Sequence, residues 1–568
     1  MYTFKNISTI TDLAKILKIP KKKLTYVLYI KKTDNSYKFF KLPKKSGGER
    51  TIYNPSDDLK DIQRSIVNLL WTQQLIIWKE NNIKPNISHA FIKEKSIITN
   101  ARVHKNKRYV YNMDLEDFFD SFHFGRVRGF FEKNKDFLFP QNIATVLAQL
   151  TCYNGCLPQG APTSPIITNL ICNILDMKLL QIAKKFKLDY TRYADDLTFS
   201  TNDGHFLENI EEFKIQTERI IKYSGFKINK KKTRLQYQNS RQVVTGLVVN
   251  KKVNVNRKFY KETRSMANKL YVNGEFKING KKASINQLEG RFAFINQIDR
   301  YNNSIKINNN KIQSKTRNLN GKEKQYQMFL FYKYFFANNN PCIVTEGKTD
   351  ILYIKSALKN LYEEYPNLIQ RNSDGTFNYK ISFLNRTKRL RYFFNFELDG
   401  ADTMNQIYNF FSNKNNDKYP NYQEKFRKLG SSPNNPVIFI LDNELSNRDK
   451  PLKKLIKPLE LENNSLKFNH FKDNNFVNLT SNLYLLTHQL VKNLTECEIE
   501  DLFDESILNT TLHNKTFEKD SKKFDDKLNY GKAAFADYIS KNYNKIDFTE
   551  FKLLLDNLNE IITSHSSK

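Results

Sequence analysis

Val437 to Leu441 is a run of five consecutive apolar residues, preceded by Pro436 and followed by Asp442-Asn443-Glu444. Successive side chains of a strand point to opposite faces, so this run has no face suited to water and needs a sheet covered on both sides. A parallel sheet wrapped by helices meets that need. It also puts Asp442 and Glu444 at a strand's carboxyl end, the edge where open α/β sheets bind ligands. A shorter version comes earlier: Cys342–Thr345 is β-prone and ends in Glu346-Gly347, after which Ile351, Ile354, Leu358 and Leu361 recur with helical spacing. With Arg391–Asp402 read as a further strand and loop and Leu483–Leu486 as a fourth strand, residues 341–568 are expected to form a small doubly wound parallel sheet.

Charge divides the chain at the same place. Residues 1–340 hold 60 Lys and Arg against 28 Asp and Glu, while 341–568 hold 32 against 31. The first part therefore carries nearly all of the net +33. An excess of that kind suits a long polyanion, whose condensed counterions are released by basic side chains. An anionic membrane is the competing partner. No run near 18 apolar residues is evident and Met1–Pro20 lacks a signal-peptide core, so a cytoplasmic protein with no membrane partner is expected. Cys152, Cys156, Cys172, Cys342 and Cys497 are irregularly spaced, which gives neither a disulfide frame nor a zinc pattern.

Within the first part, residues 11–28 read as a helical start and 37–55 as a hairpin around Gly47-Gly48. Residues 58–78 read as a helix with Leu59, Ile62, Ile66, Leu69 and Leu70 on one face. From residue 108 to about 250, strand-like and helix-like segments alternate, an α+β arrangement. Residues 257–300 read as helical, 302–320 as a polar loop or insertion, and the main boundary is placed at 338–341.

The chemistry-bearing residues of this part begin with Asp114, at the end of the apolar strand in YVYNMDLEDFF. The second element is Tyr193-Ala194-Asp195-Asp196, YADD, between two strand-like runs. Adjacent carboxylates at a turn repel one another unless a cation neutralises them. Two Mg²⁺ ions held by Asp114, Asp195 and Asp196 would suit phosphoryl transfer; a solvated acidic turn is the alternative. LPQGAPTSP (157–165) offers Gly160 where a backbone can approach a nucleotide or template, and GFKINKKKTR (225–234) adds a basic cluster.

Taken in order, Asp114, Gln159-Gly160, YADD and Gly225 with its lysines resemble the reverse transcriptases. The resemblance implies a right-hand fold, with fingers and palm over 1–250 and a helical thumb over 251–335. It also implies RNA-templated DNA synthesis with Mg²⁺ and dNTPs. Asp114, Asp195 and Asp196 would be catalytic metal ligands, and Arg50, Phe119, Gln159, Gly160 and Lys232 would meet the substrate. Phe119 matches the ring that blocks a ribose 2′-OH, and Arg50 an arginine that grips the triphosphate. NARVH (100–104) and VTG (244–246) match the NAxxH and VTG patterns of retron reverse transcriptases. That implies a structured noncoding RNA as partner, priming from an internal guanosine 2′-OH, and a branched RNA-linked single-stranded DNA (msDNA) as product. Asn100, His104, Thr245 and Gly246 are assigned to RNA binding. So are Arg257 and Arg264 in NRKFYKETR, where aromatics alternate with basic residues as on an RNA-binding or simply a charged helix surface.

Glutamate-glycine after one strand and paired acids after a later one resemble the TOPRIM domain, in particular that of the overcoming-lysogenisation-defect nucleases. The resemblance implies a second Mg²⁺ site of Glu346, Asp442 and Glu444, with Glu346 a ligand or general acid/base and Lys532, in NYGKAAFADYI, neutralising the cleaved phosphodiester. Asp350 and Asp449 are secondary acidic candidates. The chain has D-N-E where the family has D-x-D. The reading is thus a bacterial retron reverse transcriptase fused to a TOPRIM nuclease effector for antiphage defence, with a nucleic-acid substrate of its own and homo-oligomerisation left open. The alternatives are a C-terminal module that docks msDNA or a partner, or a group II intron-type maturase.

Overall fold

The two-residue alternation of 37–55 gives the expected antiparallel hairpin, Tyr37–Pro43 against Glu49–Pro55. The computed structural model describes residues 7–44, 47–309, 319–396, 401–412, 418–447, 449–459, 461, 465–520 and 522–566. The chain forms two units, Met1–Phe259 with Ile298–Asn310, and Tyr260–Gln297 with Lys311–Lys568.

In the first unit, helix Asp57–Glu80 buries Leu59, Ile62, Ile66 and Leu70, the stripe that the spacing predicts. The central sheet is antiparallel: Asp189–Tyr193, Asp196–Thr201, Tyr109–Glu116 and Lys227–Ile228 lie side by side in that order, and Arg234–Tyr237 also pairs with Tyr109–Glu116. Helix Ser164–Lys185 is, by length and composition, long and apolar enough to cross a membrane, although it holds no unbroken run of apolar residues near 18. Thr168, Asn169, Asn173 and Asp176 interrupt its apolar residues, which hides it from a linear reading. More than half of its most apolar window is buried within the protein.

The second unit holds the sheet expected from Val437–Leu441, a strand whose residues are all buried. The order is Ser382–Phe383, Cys342–Thr345, Val437–Leu441, Leu483–Thr487, Phe476–Thr480. The first four strands run parallel and the last is antiparallel. Ile343, Ile438, Ile440 and Leu486 face one core, built with helices Thr349–Asn360, Lys532–Asn542 and Lys552–Ser566. Val344, Phe439, Leu441 and Leu485 face the other, which contains Leu270, Tyr271, Leu288, Phe292 and the aromatic run around Phe329–Phe336. The 257–335 segment thus contributes to the core on one face of this sheet.

Three local readings change. The expected strand and loop at Arg391–Asp402 begins instead in a helix: Thr387 caps helix Lys388–Phe394 by accepting from the Leu390 N–H, Leu390, Phe393 and Phe394 are buried, and residues 397–400 lie outside the described residues. Residues 257–300 are two helices, Arg257–Asn273 and Ile285–Asn309, split by a hairpin whose Asn279 and Gly280 both have positive φ, as Asn-Gly turns favour. The second helix runs on through Asn309 into the expected polar loop, and residues 310–318 lie outside the described residues.

Candidate functional site

Asp114 and the YADD turn meet because of strand register. Tyr193 pairs with Asp196 across the turn, and Asp196 pairs with Asp114 on the next strand. The Leu115 N–H donates to the Asp195 carbonyl at 3.0 Å, fixing the turn against that strand. Burial, with the charges of Asp195 and Asp114, pushes the Asp196 carboxyl up to about 7. Burial and Asp114 also raise Asp195, while Lys232 and Arg50 act in the opposite sense. Lys232 Nζ donates to both carboxylate oxygens of Asp114 at 3.0 Å. Three carboxylates therefore share one locus, and an ammonium group already lies on one of them. As they stand, no three His, Cys, Asp or Glu side chains among the described residues are grouped to hold a metal.

The flanking residues fall into two groups. Arg50 is exposed on the hairpin, and Phe119 is half-buried with its ring edge-on to Phe118. Gln159 is half-buried, and its carbonyl accepts from the Tyr53 N–H at 2.7 Å. Gly160 has φ +115°, and a Cβ there would lie 2.5 Å from the Tyr53 carbonyl oxygen and 2.8 Å from Ile52 Cγ2. The close approach that requires glycine in this structure is that of the hairpin.

Asn100 and His104 are corrected from RNA contacts to core residues, because both are fully buried. His104 Nδ1 lies 2.7 Å from Ser200 Oγ and Nε2 lies 2.7 Å from Thr191 Oγ1, whose hydroxyl donates to Asn100 Oδ1 at 2.6 Å. The NARVH helix is thereby pinned beneath the two strands that carry YADD. Thr245 and Gly246 are the turn of the hairpin Val243–Val244/Leu247–Val248, both with positive φ. Thr245 Oγ1 donates to the Ile97 carbonyl at 3.3 Å, so VTG packs on that same helix, and Gly246 is exposed. Arg257 and Arg264 are exposed on helix Arg257–Asn273, whose Thr263, Ala267 and Leu270 are buried, and the Arg264 guanidinium lies over the Tyr260 ring.

In the second unit, Glu346, Asp442 and His488 each follow one of three adjacent parallel strands. Burial, then the charges of Asp442, Asp350 and Glu444, pushes the Glu346 carboxyl up to about 8. Its Oε2 is buried without a hydrogen-bond partner. Asp350 is raised by burial and by Asp442, and its Oδ2 accepts from the Gly347 N–H at 2.8 Å. Asp442 Oδ1 accepts from the Ile499 N–H at 2.9 Å. Glu444 is buried and accepts from Lys450 Nζ at 2.6 Å. Asp449, one of the secondary candidates, sits exposed in a turn, where its N–H donates to Asn447.

Sequence reasoning missed the partners of Lys532. Its Nζ donates to Glu498 at 3.1 Å and Glu500 at 3.0 Å. Burial opposes the ammonium charge, but these two carboxylates hold its pKa above the ordinary value. Glu500 is itself fully buried, and burial lifts it to about 7 against the pull of Lys532. The signal was present in the alternating acids of ECEIED (496–501). His488 left no such signal; its buried Nε2 lies 3.6 Å from Asp442 Oδ1.

Residues 42–259 match the family described as "Reverse transcriptase (RNA-dependent DNA polymerase)". Retron Ec86 reverse transcriptase of Escherichia coli is 34% identical over 296 residues, covering 52% of this chain and 85% of that protein. Retron Ec73 reverse transcriptase, also of Escherichia coli, is 35% identical over 45% of this chain and 82% of its own. Retron Mx162 reverse transcriptase of Myxococcus xanthus is 31% identical over 50% of this chain and 63% of its own. Among solved structures, a telomerase of Candida albicans in complex with a fragment of telomeric RNA aligns at 12% identity. The TM-score is 0.34, over 57% of this chain and 67% of that one.

Proposed function

The chain belongs to the retron reverse transcriptases, and from that premise we propose that it copies a structured noncoding RNA into msDNA and carries a TOPRIM-type nuclease effector in its second unit. The observation that carries the first half is the register that sets Asp114 opposite Asp196 beside Asp195. Oxygen donors of this kind suit Mg²⁺, and Lys232 on Asp114 supports a locus made for positive charge. Asp114, Asp195 and Asp196 would hold two ions there. Bound Mg²⁺ would acidify the attacking hydroxyl and stabilise charge on the leaving pyrophosphate.

The chain's own residues bind and orient the substrates. Arg50, whose charge is felt at Asp195, offers a planar fork to the triphosphate of a dNTP. Phe119, steadied by Phe118, would exclude a ribose 2′-OH. Lys232 holds Asp114 between catalytic events. The exposed basic face that includes Arg257 and Arg264 serves the RNA backbone.

For the second unit, the supporting observation is the gathering of Glu346, Asp350 and Asp442 at the carboxyl ends of parallel strands, with their charges adding to burial at Glu346. Glu346, Asp442 and Glu444 would hold Mg²⁺, and Lys532 would face the cleaved phosphodiester. The setting is a bacterial cytoplasm, with phage infection releasing the effector. Asp195→Asn is expected to abolish the short single-stranded DNA recovered from RNase-treated nucleic acid of cells that also express the noncoding RNA. Glu346→Gln is expected to spare that DNA and abolish toxicity and phage protection. A Glu346→Gln protein that still protects cells would sink the nuclease reading.

A second reading has its own support. Lys450 and Lys532 neutralise Glu444, Glu498 and Glu500 internally, as in a non-catalytic module that docks msDNA or a partner. Metal-dependent cleavage of nucleic acid by the full chain, lost in Glu346→Gln, separates the two.

A further inference from the structure

We infer that Arg192 is a positioning residue of the polymerase centre, which holds the YADD turn through the main chain of Ala194. The inference rests on the assignment of Asp195 and Asp196 as carriers of the chemistry, proposed above.

Arg192 is fully buried, heading the largest wholly buried side chains. A guanidinium is an expensive way to fill a core, since burying its charge requires a partner and every N–H left over requires an acceptor. The partner is Asp176 on helix Ser164–Lys185: Nε donates to Oδ1 at 2.8 Å and Nη2 to Oδ2 at 2.8 Å. Tyr190 donates to the same carboxylate at 2.9 Å, and Asn169 Oδ1 accepts from Nη2 at 3.2 Å. One arm of the fork lies outside this anchorage. Nη1 donates to the Ala194 carbonyl at 3.3 Å, within the turn that Asp195 completes.

That turn needs support. Tyr193 pairs with Asp196, so Ala194 and Asp195 alone make the reversal. Ala194 has φ +56°, a left-handed conformation that tight two-residue turns ordinarily give to glycine. The Ala194 carbonyl belongs to the same peptide plane as the Asp195 N–H, so its hydrogen bond sets the direction from which the Asp195 side chain leaves. A buried ion pair is weak evidence for a stabilising role, because well-packed apolar residues often do as well. A rigid fork anchored on one element with one arm on the catalytic turn is what positioning requires.

Arg192→Lys keeps the charge beside Asp176 and loses the fork. Tested as the full chain on a primed RNA template with dNTPs and Mg²⁺, it is expected to lower kcat by roughly 10²-fold, as displacement of a reacting group does. KM for dNTP should stay within about twofold, since binding contacts are untouched. Adding Ala194→Gly, which lets the turn take its φ unaided, is expected to recover roughly tenfold of the loss. A merely structural role would give no such selective rescue. Should Arg192→Lys not fold, Asp176→Asn, which leaves the guanidinium unanchored, takes the same test with the same rescue. Wild-type kcat in the folded variant, or no recovery on adding Ala194→Gly, overturns the inference. DNA synthesis surviving in Asp195→Asn overturns the underlying assignment instead.

Discussion

Acid should weaken the first unit through one imidazole. The Thr191 hydroxyl proton is committed to Asn100, so His104 Nε2 must donate to Thr191 while Nδ1 accepts from Ser200. The ring is then neutral, and a second proton would put a charge in the buried core. Burial, followed by the charges of His89 and Lys107, pushes its pKa down to about 3, against about 6.5 in an unfolded chain. Because the folded pKa is depressed, the unfolded state takes the proton first. The stability contribution is complete above about pH 6.5 and is lost as pH falls toward 3. Between pH 7 and pH 5 the loss comes to about 2 kcal/mol, at a limiting slope of about 1.4 kcal/mol per pH unit.

The chain's two tryptophans, Trp71 and Trp78, both lie on helix Asp57–Glu80, so urea unfolding followed by tryptophan fluorescence reports on the first unit. His104→Gln cannot titrate and should lack that part of the pH slope while being less stable at pH 7. His89, pushed down to about 4 by burial, contributes a slope that the variant keeps; the measure is therefore the difference between the two proteins. Parallel slopes for wild type and His104→Gln would refute the reasoning.

Gly160→Ala should cost about 1–3 kcal/mol in the same assay and raise KM for dNTP, because the new methyl meets the Tyr53 main chain on the hairpin that carries Arg50; a silent substitution would contradict the geometry. Arg257→Ala with Arg264→Ala should weaken binding of the noncoding RNA in gel shifts and lower the salt slope by about 2, and unchanged affinity would remove that surface from RNA binding. Lys532→Met should destabilise the second unit by about 3–5 kcal/mol, since Glu500 would keep its burial and lose its cation. Adding Glu500→Gln should restore much of that loss in hydrogen exchange of the Val437–Leu441 strand; no change in either variant would show that the pair is not buried in solution.

The parts of the fold that could be read from sequence were those set by local pattern. The Val437–Leu441 run had no polar face to give to water, and the Ala194-Asp195 pair of YADD sat between two strand-like runs. Asn100 and His104 misled because polarity in a sequence does not say whether a group's partners are water or Thr191 and Ser200, which are about 90 residues further along the chain. Glu498 and Glu500 come close to Lys532 only through the fold. The charge break at residue 340 described the surface alone: Lys258, Lys261 and Lys269 are exposed on helix Arg257–Asn273, while Tyr271, Phe292 and Phe329 take part in the core beyond it.

That shared core bears on how such a gene can be rearranged. Tyr271 meets Phe426, Phe292 stacks on Tyr326, and Phe331 lies against Phe411 and Tyr422. A recombination joint at residue 340 would strip one face of the Val437–Leu441 sheet and leave the helices before it with aromatic rings facing water. Inheritance of the C-terminal segment is therefore tied to inheritance of residues 260–336, and grafts between relatives that respect this linkage are the ones expected to fold.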